Sequence, residues 1–166
     1  MPLVAFDSLP ADARVWVFAA ATPLDASAER TLLAKVDEYL VQWKAHGAPL
    51  TVARDWRDGR FLTIGVDTSR ELASGCSIDG LFRLLQGAES MLGTSMVGGG
   101  RVYYRDASGT VAGVDRDTFS SLAERGEVTR ETIVFDLSVT ALGVWRERFE
   151  TPAGQSWHQT LFPALA

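Results

Sequence analysis

The sequence has little cysteine, no long apolar segment and no cluster of basic residues. Its single cysteine, Cys76, cannot form an internal disulfide, so we expect no dependence on an oxidising compartment. No run of about 18 apolar residues is present, so we expect no membrane-spanning helix. The first residues also lack the pattern of a secretory signal, and we expect a cytoplasmic protein.

Acidic and basic residues are mixed along the chain, and the formal net charge is −5. Without a run of Lys or Arg, we expect no binding to nucleic acid through a basic stripe. The hydrophobic fraction of 46% is enough to build a full core, and a length of 166 residues fits one domain. We therefore predict a single domain over residues 1–166.

Hydrophobic periodicity predicts elements in the order β-α-β-β-α-β-β-α-β-β. Asp25 is typical of a helix N-cap, Gly47 of the residue that stops a helix, and Asp58-Gly59 of a hairpin turn. The predicted strands are 14–20, 50–56, 60–67, 101–105, 111–114, 132–135 and 142–149. The predicted helices are 26–46, 77–92 and 117–125.

The first six of these elements match the split β-α-β arrangement of ferredoxin-like folds. We therefore predict an α+β fold with a largely antiparallel sheet and two main helices on one face. The ferredoxin-like core would span about residues 14–114, and residues 115–166 would form a C-terminal β extension. Gly65, inside a strand, indicates that another group packs closely against the backbone there.

Cys76 is the strongest candidate for chemistry, because it is predicted at the start of the second helix. A helix N-terminus favours the thiolate, which is the reactive form of cysteine. The amides that begin the helix would bind a negative charge, so the candidate ligand-binding residues are Ser74, Gly75 and Ser77. The alternative is a buried thiol that fills space, with Ser74 and Ser77 as helix caps.

A nucleophilic cysteine usually needs a base, and the chain has two histidines. His158 is the first candidate base and His46 the second, with Asp79 or Asp67 as a carboxylate partner. The two histidines and Asp79 also have a structural interpretation. His46 would be a cation at a helix C-terminus, Asp79 an acidic residue in a first helical turn, and His158 an anchor for the C-terminal segment.

The motifs indicate no metal and no cofactor. One cysteine and two histidines have no spacing typical of a metal site, and neither HExxH nor CxxC is present. The glycine-rich segment 93–100 lacks the Gly-Lys-Ser/Thr ending of a Walker A loop, so a flexible connection is expected. Trp56 with Arg54 and Arg57 is a candidate binding patch, and the alternative is a cross-strand aromatic pair.

Several stretches resemble a family of bacterial proteins of unknown function that is often labelled ABC transporter ATPase. The most specific stretch is Ser74-Gly75-Cys76-Ser77-Ile78-Asp79, and the others are 13–17, 43–47, 59–62 and 156–158. The resemblance covers nearly the whole chain and implies no catalytic residue. An ATPase needs a Walker A loop, a Walker B acid and a signature motif, and the sequence contains none of them. The label implies one partner, a transporter with which the protein would associate.

Two hypotheses for the function follow. The first is a binding or interaction domain for a protein or a small-molecule ligand, because the chain is acidic, rich in aromatic residues and without a cofactor motif. Pairing of an exposed sheet face would give a homodimer. The second is a thiol-dependent enzyme or redox sensor that uses Cys76. A buried thiol with no imidazole or carboxylate within ~6 Å would exclude the second hypothesis.

Overall fold

The computed structural model describes residues 3–45, 48–49, 51–68 and 75–164, with the backbone alone at 44–45, 48–49 and 75–77. Its helices and antiparallel sheets confirm the α+β class. The strands are β1 (Arg14–Ala19), β2 (Lys44–Ala45), β3 (Ala48–Pro49), β4 (Thr51–Arg57), β5 (Phe61–Asp67), β6 (Arg101–Arg105), β7 (Val111–Asp115), β8 (Ile133–Phe135) and β9 (Glu150–Pro152). The α-helices are α1 (Ala26–Val41), α2 (Gly75–Leu92), α3 (Arg116–Glu124) and α4 (Leu142–Arg148). Short 3₁₀ helices span Phe6–Ser8, Ala153–Gln155 and Trp157–Leu161.

The chain forms two compact units. The first contains Met1–Val97 and Val139–Trp145, and the second contains Gly98–Ser138 and Arg146–Ala166. The division after Val97 comes earlier than the expected change near residue 114, because β6 and β7 belong to the second unit. The prediction of a single domain stays a prediction. No helix in the described ranges combines the length and the apolar character that crossing a bilayer requires.

In the first unit, three antiparallel strands form a sheet in the order β1-β5-β4. The β4-β5 hairpin turns at Asp58 and Gly59, whose φ angles are 57° and 65°. Positive φ at both central residues is what a type I′ turn needs, so the hairpin prediction is confirmed. Asp25 caps α1 as predicted, because its carboxylate accepts the amide of Ala28 at 2.8 Å.

Helices α1 and α2 pack on one face of this sheet. The sheet contributes side chains that alternate along each strand, and each helix contributes one apolar stripe. The buried residues of this core include Phe18, Leu62, Ile64 and Val66 from the sheet, Leu32, Val36 and Leu40 from α1, and Leu81 and Leu85 from α2. The predicted placement of both main helices on one face is therefore present in the first unit.

The opposite face of the sheet packs against the N-terminal 3₁₀ segment and against Trp145. An added Cβ on Gly65 would lie 2.6 Å from Cδ1 of Leu9, which confirms the predicted close packing. The indole Nε1 of Trp145 donates to the buried hydroxyl of Thr63 at 3.0 Å. Both faces of the first sheet are thus engaged within the first unit.

The strand order β1-β5-β4 is that of the first three strands in a split β-α-β arrangement. The expected fourth strand, β6, instead lies in a second sheet with the order β7-β6-β8-β9. The ferredoxin-like detail is therefore unconfirmed. In the second unit, α3 covers this sheet through Phe119, which is fully buried with Val102, Val128 and Val134.

The prediction of a strand at residues 142–149 is wrong, because these residues form helix α4. The amide of Trp145 donates to the carbonyl of Ala141 at 2.9 Å, which is a helical bond. Leu142 and Trp145 are buried three residues apart, whereas Val144 is 43% exposed. Burial therefore follows the helical period, and the alternation of residue types along this segment does not report a strand.

Helix α1 ends at Val41, before the predicted end at His46. The amides of Gln42 and Trp43 donate to the carbonyls of Tyr39 and Leu40, each at 3.2 Å, and these three-residue bonds close the last turn. Trp43 then leaves the helical path and is buried, with its ring 5.9 Å from that of Tyr39. The predicted stop at Gly47 lies outside the described residues, as does His46.

Two glycines of α2 provide a matched test of its packing against α1. An added Cβ on Gly80 would overlap the Oη atom of Tyr39, whereas one on Gly87 would meet nothing within 4 Å. We expect Gly80→Ala to lower the free energy of unfolding by about 1–3 kcal/mol through overpacking. Gly87→Ala should raise it by up to about 1 kcal/mol, because alanine is the better helix former.

Urea denaturation followed by circular dichroism measures both changes. Adding Tyr39→Phe to Gly80→Ala removes the overlapping oxygen and should recover part of the loss. If the two glycine variants change stability equally, the described contact between α1 and α2 is incorrect.

Candidate functional site

The second unit contains an open cavity of about 540 Å³. It lies between the β6-β7 hairpin, the end of α3 and the segment that leads into β8. Cavities that bind small molecules usually measure roughly 300–1,000 Å³. A cavity of about 230 Å³ in the first unit, lined by α1 and α2, falls below that range. The larger cavity is therefore the better candidate site of the two.

Apolar side chains form the inner surface of this cavity. Val128 is buried, and Leu122 and Ile133 are half-buried beside it. Tyr104, from β6, also lines the cavity, and its ring packs edge-on against Phe119 with the ring centroids 5.6 Å apart. The exposed lining residues, which form the rim, are Asp106, Ala107, Glu127, Thr129 and Glu131.

Hydrogen bonds fix the wall between α3 and β8. The amides of Glu127 and Val128 both donate to the carbonyl of Leu122, at 2.9 and 3.4 Å. The amide of Thr129 donates to the hydroxyl of Thr132 at 2.9 Å, and the amide of Thr132 donates back to the carbonyl of Thr129 at 3.0 Å. These backbone and side-chain hydrogen bonds hold the wall in place without a ligand, and small-molecule sites are usually pre-formed in this way.

The charged lining residues are three acids, Asp106, Glu127 and Glu131, and one base, Arg105. The guanidinium of Arg105 donates to the carboxylate of Glu150 at 3.2 Å and lies over the ring of Phe135. Its charge is thus balanced by Glu150, a carboxylate that does not line the cavity. The rim therefore carries an excess of negative charge.

The three acids differ in the partners of their carboxylates. The Ser108 hydroxyl donates to the carboxylate of Asp106 at 2.6 Å, and this bond is the main cause that lowers the Asp106 pKa below its ordinary value. Glu127 is 2.7 Å from Arg125, but both side chains are more than half exposed, so the pair is weak. The exposed carboxylate of Glu131 has no partner among the described residues.

The negative charges of the acidic rim act on the phenol of Tyr104. Burial is the main cause that raises the pKa of its phenol, and the negative charges of Asp106 and Glu127 raise it further. Its hydroxyl makes no hydrogen bond within the part of the chain that the structure describes. The cavity thus offers a neutral phenol, an aromatic ring and an apolar inner surface beneath acidic groups.

The residues predicted around Cys76 are only partly described. Helix α2 begins at Gly75, two residues before the predicted start, so the backbone of Cys76 lies in its first turn. The side chains of Cys76 and Ser77 lie outside the description, as do Ser74 and His46 entirely. Asp79 is exposed on α2, and because the helix begins at Gly75 it lies beyond the first turn, so its expected first-turn position is wrong. The catalytic role of Cys76 therefore stays a prediction.

His158 lies in the second unit, whereas Cys76 and Asp79 belong to the first. Its side chain is 1% exposed, and its Nδ1 is joined to Oγ of Ser156 by a 2.6 Å hydrogen bond. Its ring stacks on Trp157 with the centroids 4.0 Å apart. Ser156 also caps the 3₁₀ helix that carries His158, by accepting its amide. These contacts favour the anchoring interpretation of His158.

Burial lowers the pKa of His158 to about 4. The charge of Asp136 opposes this shift and the charge of Arg116 adds to it. A general base works best when its pKa lies near the operating pH, so an imidazole of this kind is a poor base at neutral pH. The electrostatics therefore agree with the packing in favouring an anchor.

Trp56, Arg54 and Arg57 do not form one patch. Arg54 lies on the helix-covered side of the sheet, where its Nε is 2.5 Å from the carboxylate of Asp37. Arg57, three residues along, lies on the opposite face over the ring of Trp145 at 4.6 Å. Trp56 lies opposite Leu62 in the β4-β5 pair and packs against the helix-side core, so its cross-strand partner is aliphatic and not the expected aromatic residue.

No group of three or more His, Cys, Asp or Glu side chains in the described ranges is arranged to hold a metal ion. The three acids around the cavity are thus placed along its rim rather than gathered at one point.

The sequence interpretation missed Tyr104, Glu127 and Glu131. They come from a strand and a loop that are far apart in the chain, and only the fold brings them to one cavity. The one available signal was the density of charged residues in the segment 127–131, between a helix stop at Gly126 and an apolar strand.

Comparison of the chain with family models, curated proteins and solved structures finds no match. The resemblance to the family labelled ABC transporter ATPase therefore stays a prediction, and the function has to be argued from the site.

Proposed function

We propose that this protein is a binding domain that holds a small organic ligand in the cavity of its second unit. The observation that carries the proposal is the open cavity of about 540 Å³, whose walls come from β6, the hairpin turn, α3 and the segment before β8. Its volume suits a small organic molecule.

The distribution of polar and apolar groups supports this proposal. Small-molecule sites are mostly apolar and carry a few placed polar groups that orient the ligand. Here Leu122, Val128 and Ile133 would contact the apolar part of the ligand, while the Tyr104 hydroxyl and the rim carboxylates would bind its polar part. The thiol-dependent alternative stays a prediction, because the side chain of Cys76 lies outside the described residues.

The hairpin turn provides a substitution that obstructs the cavity. Ala107 is exposed at the rim, so tryptophan there should enter the opening without disturbing the core. We expect Ala107→Trp to lower ligand affinity at least about tenfold. Ser121→Trp is the matched control, because Ser121 is exposed on α3 and does not line the cavity.

Titration of ¹⁵N-labelled protein with benzylamine and with benzyl alcohol measures this effect. Saturable shifts of the amide signals of Val128, Thr129 and Ile133, lost in Ala107→Trp and kept in Ser121→Trp, are the expected result. Absence of saturable shifts with both probes, or equal affinity in the two variants, would overturn the proposed function.

A further inference from the structure

We infer that the ligand of this cavity is an organic cation, such as a primary amine or a guanidinium compound, held by its charge at the rim and by its apolar part inside. The inference rests on the proposed function and adds the chemical class of the ligand.

The charge of the rim is the first observation. Asp106, Glu127 and Glu131 line the cavity, and the only lining cation, Arg105, is paired with Glu150. The Glu131 carboxylate is unpaired among the residues that the structure describes, and Glu127 has only an exposed partner in Arg125. An anionic ligand would meet repulsion from these groups, whereas a cation would replace part of its lost hydration with charge-assisted hydrogen bonds.

The Tyr104 phenol is the second observation, and it is independent of the acids. Tyr104 lines the cavity, and its hydroxyl has no hydrogen-bond partner within the described ranges. A phenol oxygen accepts a hydrogen bond from an ammonium or guanidinium group, and an aromatic ring attracts a cation placed over its face. The raised pKa of Tyr104 agrees with a negative local field from Asp106 and Glu127.

The spacing of the acids distinguishes an organic cation from a bare metal ion. A divalent metal needs several ligands around one point, and no described set of three acidic, histidine or cysteine side chains is arranged to hold one. An organic cation carries donors that reach separate acceptors, and its carbon skeleton covers apolar surface. Leu122, Val128 and Ile133 supply that surface inside the acidic rim.

A pair of probes with the same ring tests the charge alone. Benzylamine is a cation at pH 7, and benzyl alcohol is its neutral counterpart. We expect benzylamine to bind the cavity at least about tenfold more tightly than benzyl alcohol at low salt, and to lose this advantage as salt is added.

Two matched variants locate the effect. Glu131→Gln should lower the affinity for benzylamine about threefold to tenfold and leave that for benzyl alcohol unchanged. Glu124→Gln removes the same charge from an exposed position of α3 that does not line the cavity, and it should leave both affinities unchanged.

The outcomes separate the inference from the proposed function. If both probes bind the cavity with equal affinity, the cation inference is overturned and the binding function stands. If neither probe shifts the signals of the lining residues, both are overturned. Equal losses in Glu131→Gln and Glu124→Gln would also overturn the inference, because binding would then follow net charge rather than the rim.

Discussion

Replacing Trp145 by alanine is expected to lower the free energy of unfolding by about 3–5 kcal/mol. The indole is buried against the outer face of the first sheet, with its ring 5.0 Å from that of Phe6 and 4.6 Å from the Arg57 guanidinium. Its Nε1 also donates to the fully buried hydroxyl of Thr63. The substitution would remove the ring, open a cavity and leave Thr63 without this partner.

Urea denaturation of three variants separates these contributions. Trp145→Phe keeps most of the ring and loses the hydrogen bond, so a loss of about 1–3 kcal/mol is expected. Val144→Ala is the control, since Val144 is 43% exposed on the same helix and its truncation should change stability by less than about 0.5 kcal/mol. Equal effects of Trp145→Ala and Val144→Ala would contradict the helical packing of α4.

Acid is expected to destabilise the second unit through His158. The unfolded chain takes up a proton near pH 6.5, whereas burial lowers the pKa of the folded His158 to about 4. Below pH 6.5 the unfolded state therefore binds more protons, and stability falls as the pH falls from 6.5 towards 4. At about 1.4 kcal/mol for each pKa unit, the loss approaches roughly 3 kcal/mol at the acid end of this window.

Carboxylates also titrate in this window, so the measurement compares variants at pH 7 and pH 4.5. His158→Gln removes the buried imidazole and should show about 2 kcal/mol less acid destabilisation than the wild type. Adding Gln159→His to that variant restores a histidine at an exposed neighbouring position and should not restore the sensitivity. A pH dependence that is the same in all three proteins would show that His158 is not a desolvated anchor.

Local signals predicted the parts of the fold that depend on local geometry. The Asp58-Gly59 turn needs positive φ at two residues, and the Asp25 cap needs only its own helix, so both are confirmed. The close packing at Gly65 was also predictable, because a glycine inside a strand is costly without such a reason.

Tertiary packing decided the elements that sequence did not predict correctly. Trp43 is buried just after the end of α1, and this helix is shorter than predicted. Trp145 is buried beside Thr63, on a helix where the alternation of residue types predicted a strand. In both places a large aromatic side chain packs against a strand or helix that is distant in the sequence. A sequence pattern contains no information on that distant partner.

The candidate site was not predictable from the sequence. The composition favoured a binding domain for a protein or a small ligand, which stays a prediction, whereas the cavity takes Tyr104 from one strand and Glu131 from a later loop. The sequence predicted a site at Cys76 because this residue lies in one contiguous motif. A cavity whose walls come from separate elements leaves no contiguous motif.

A crystal structure of the protein soaked with benzylamine tests the central claim most directly. We expect the ring to lie against Leu122 and Val128 in the cavity of the second unit. The ammonium nitrogen should lie within about 3.2 Å of a rim carboxylate, with Glu131 as the unpaired partner. Benzylamine bound elsewhere, a ring in the cavity with its nitrogen away from all three carboxylates, or an empty cavity at saturating concentration would contradict the account.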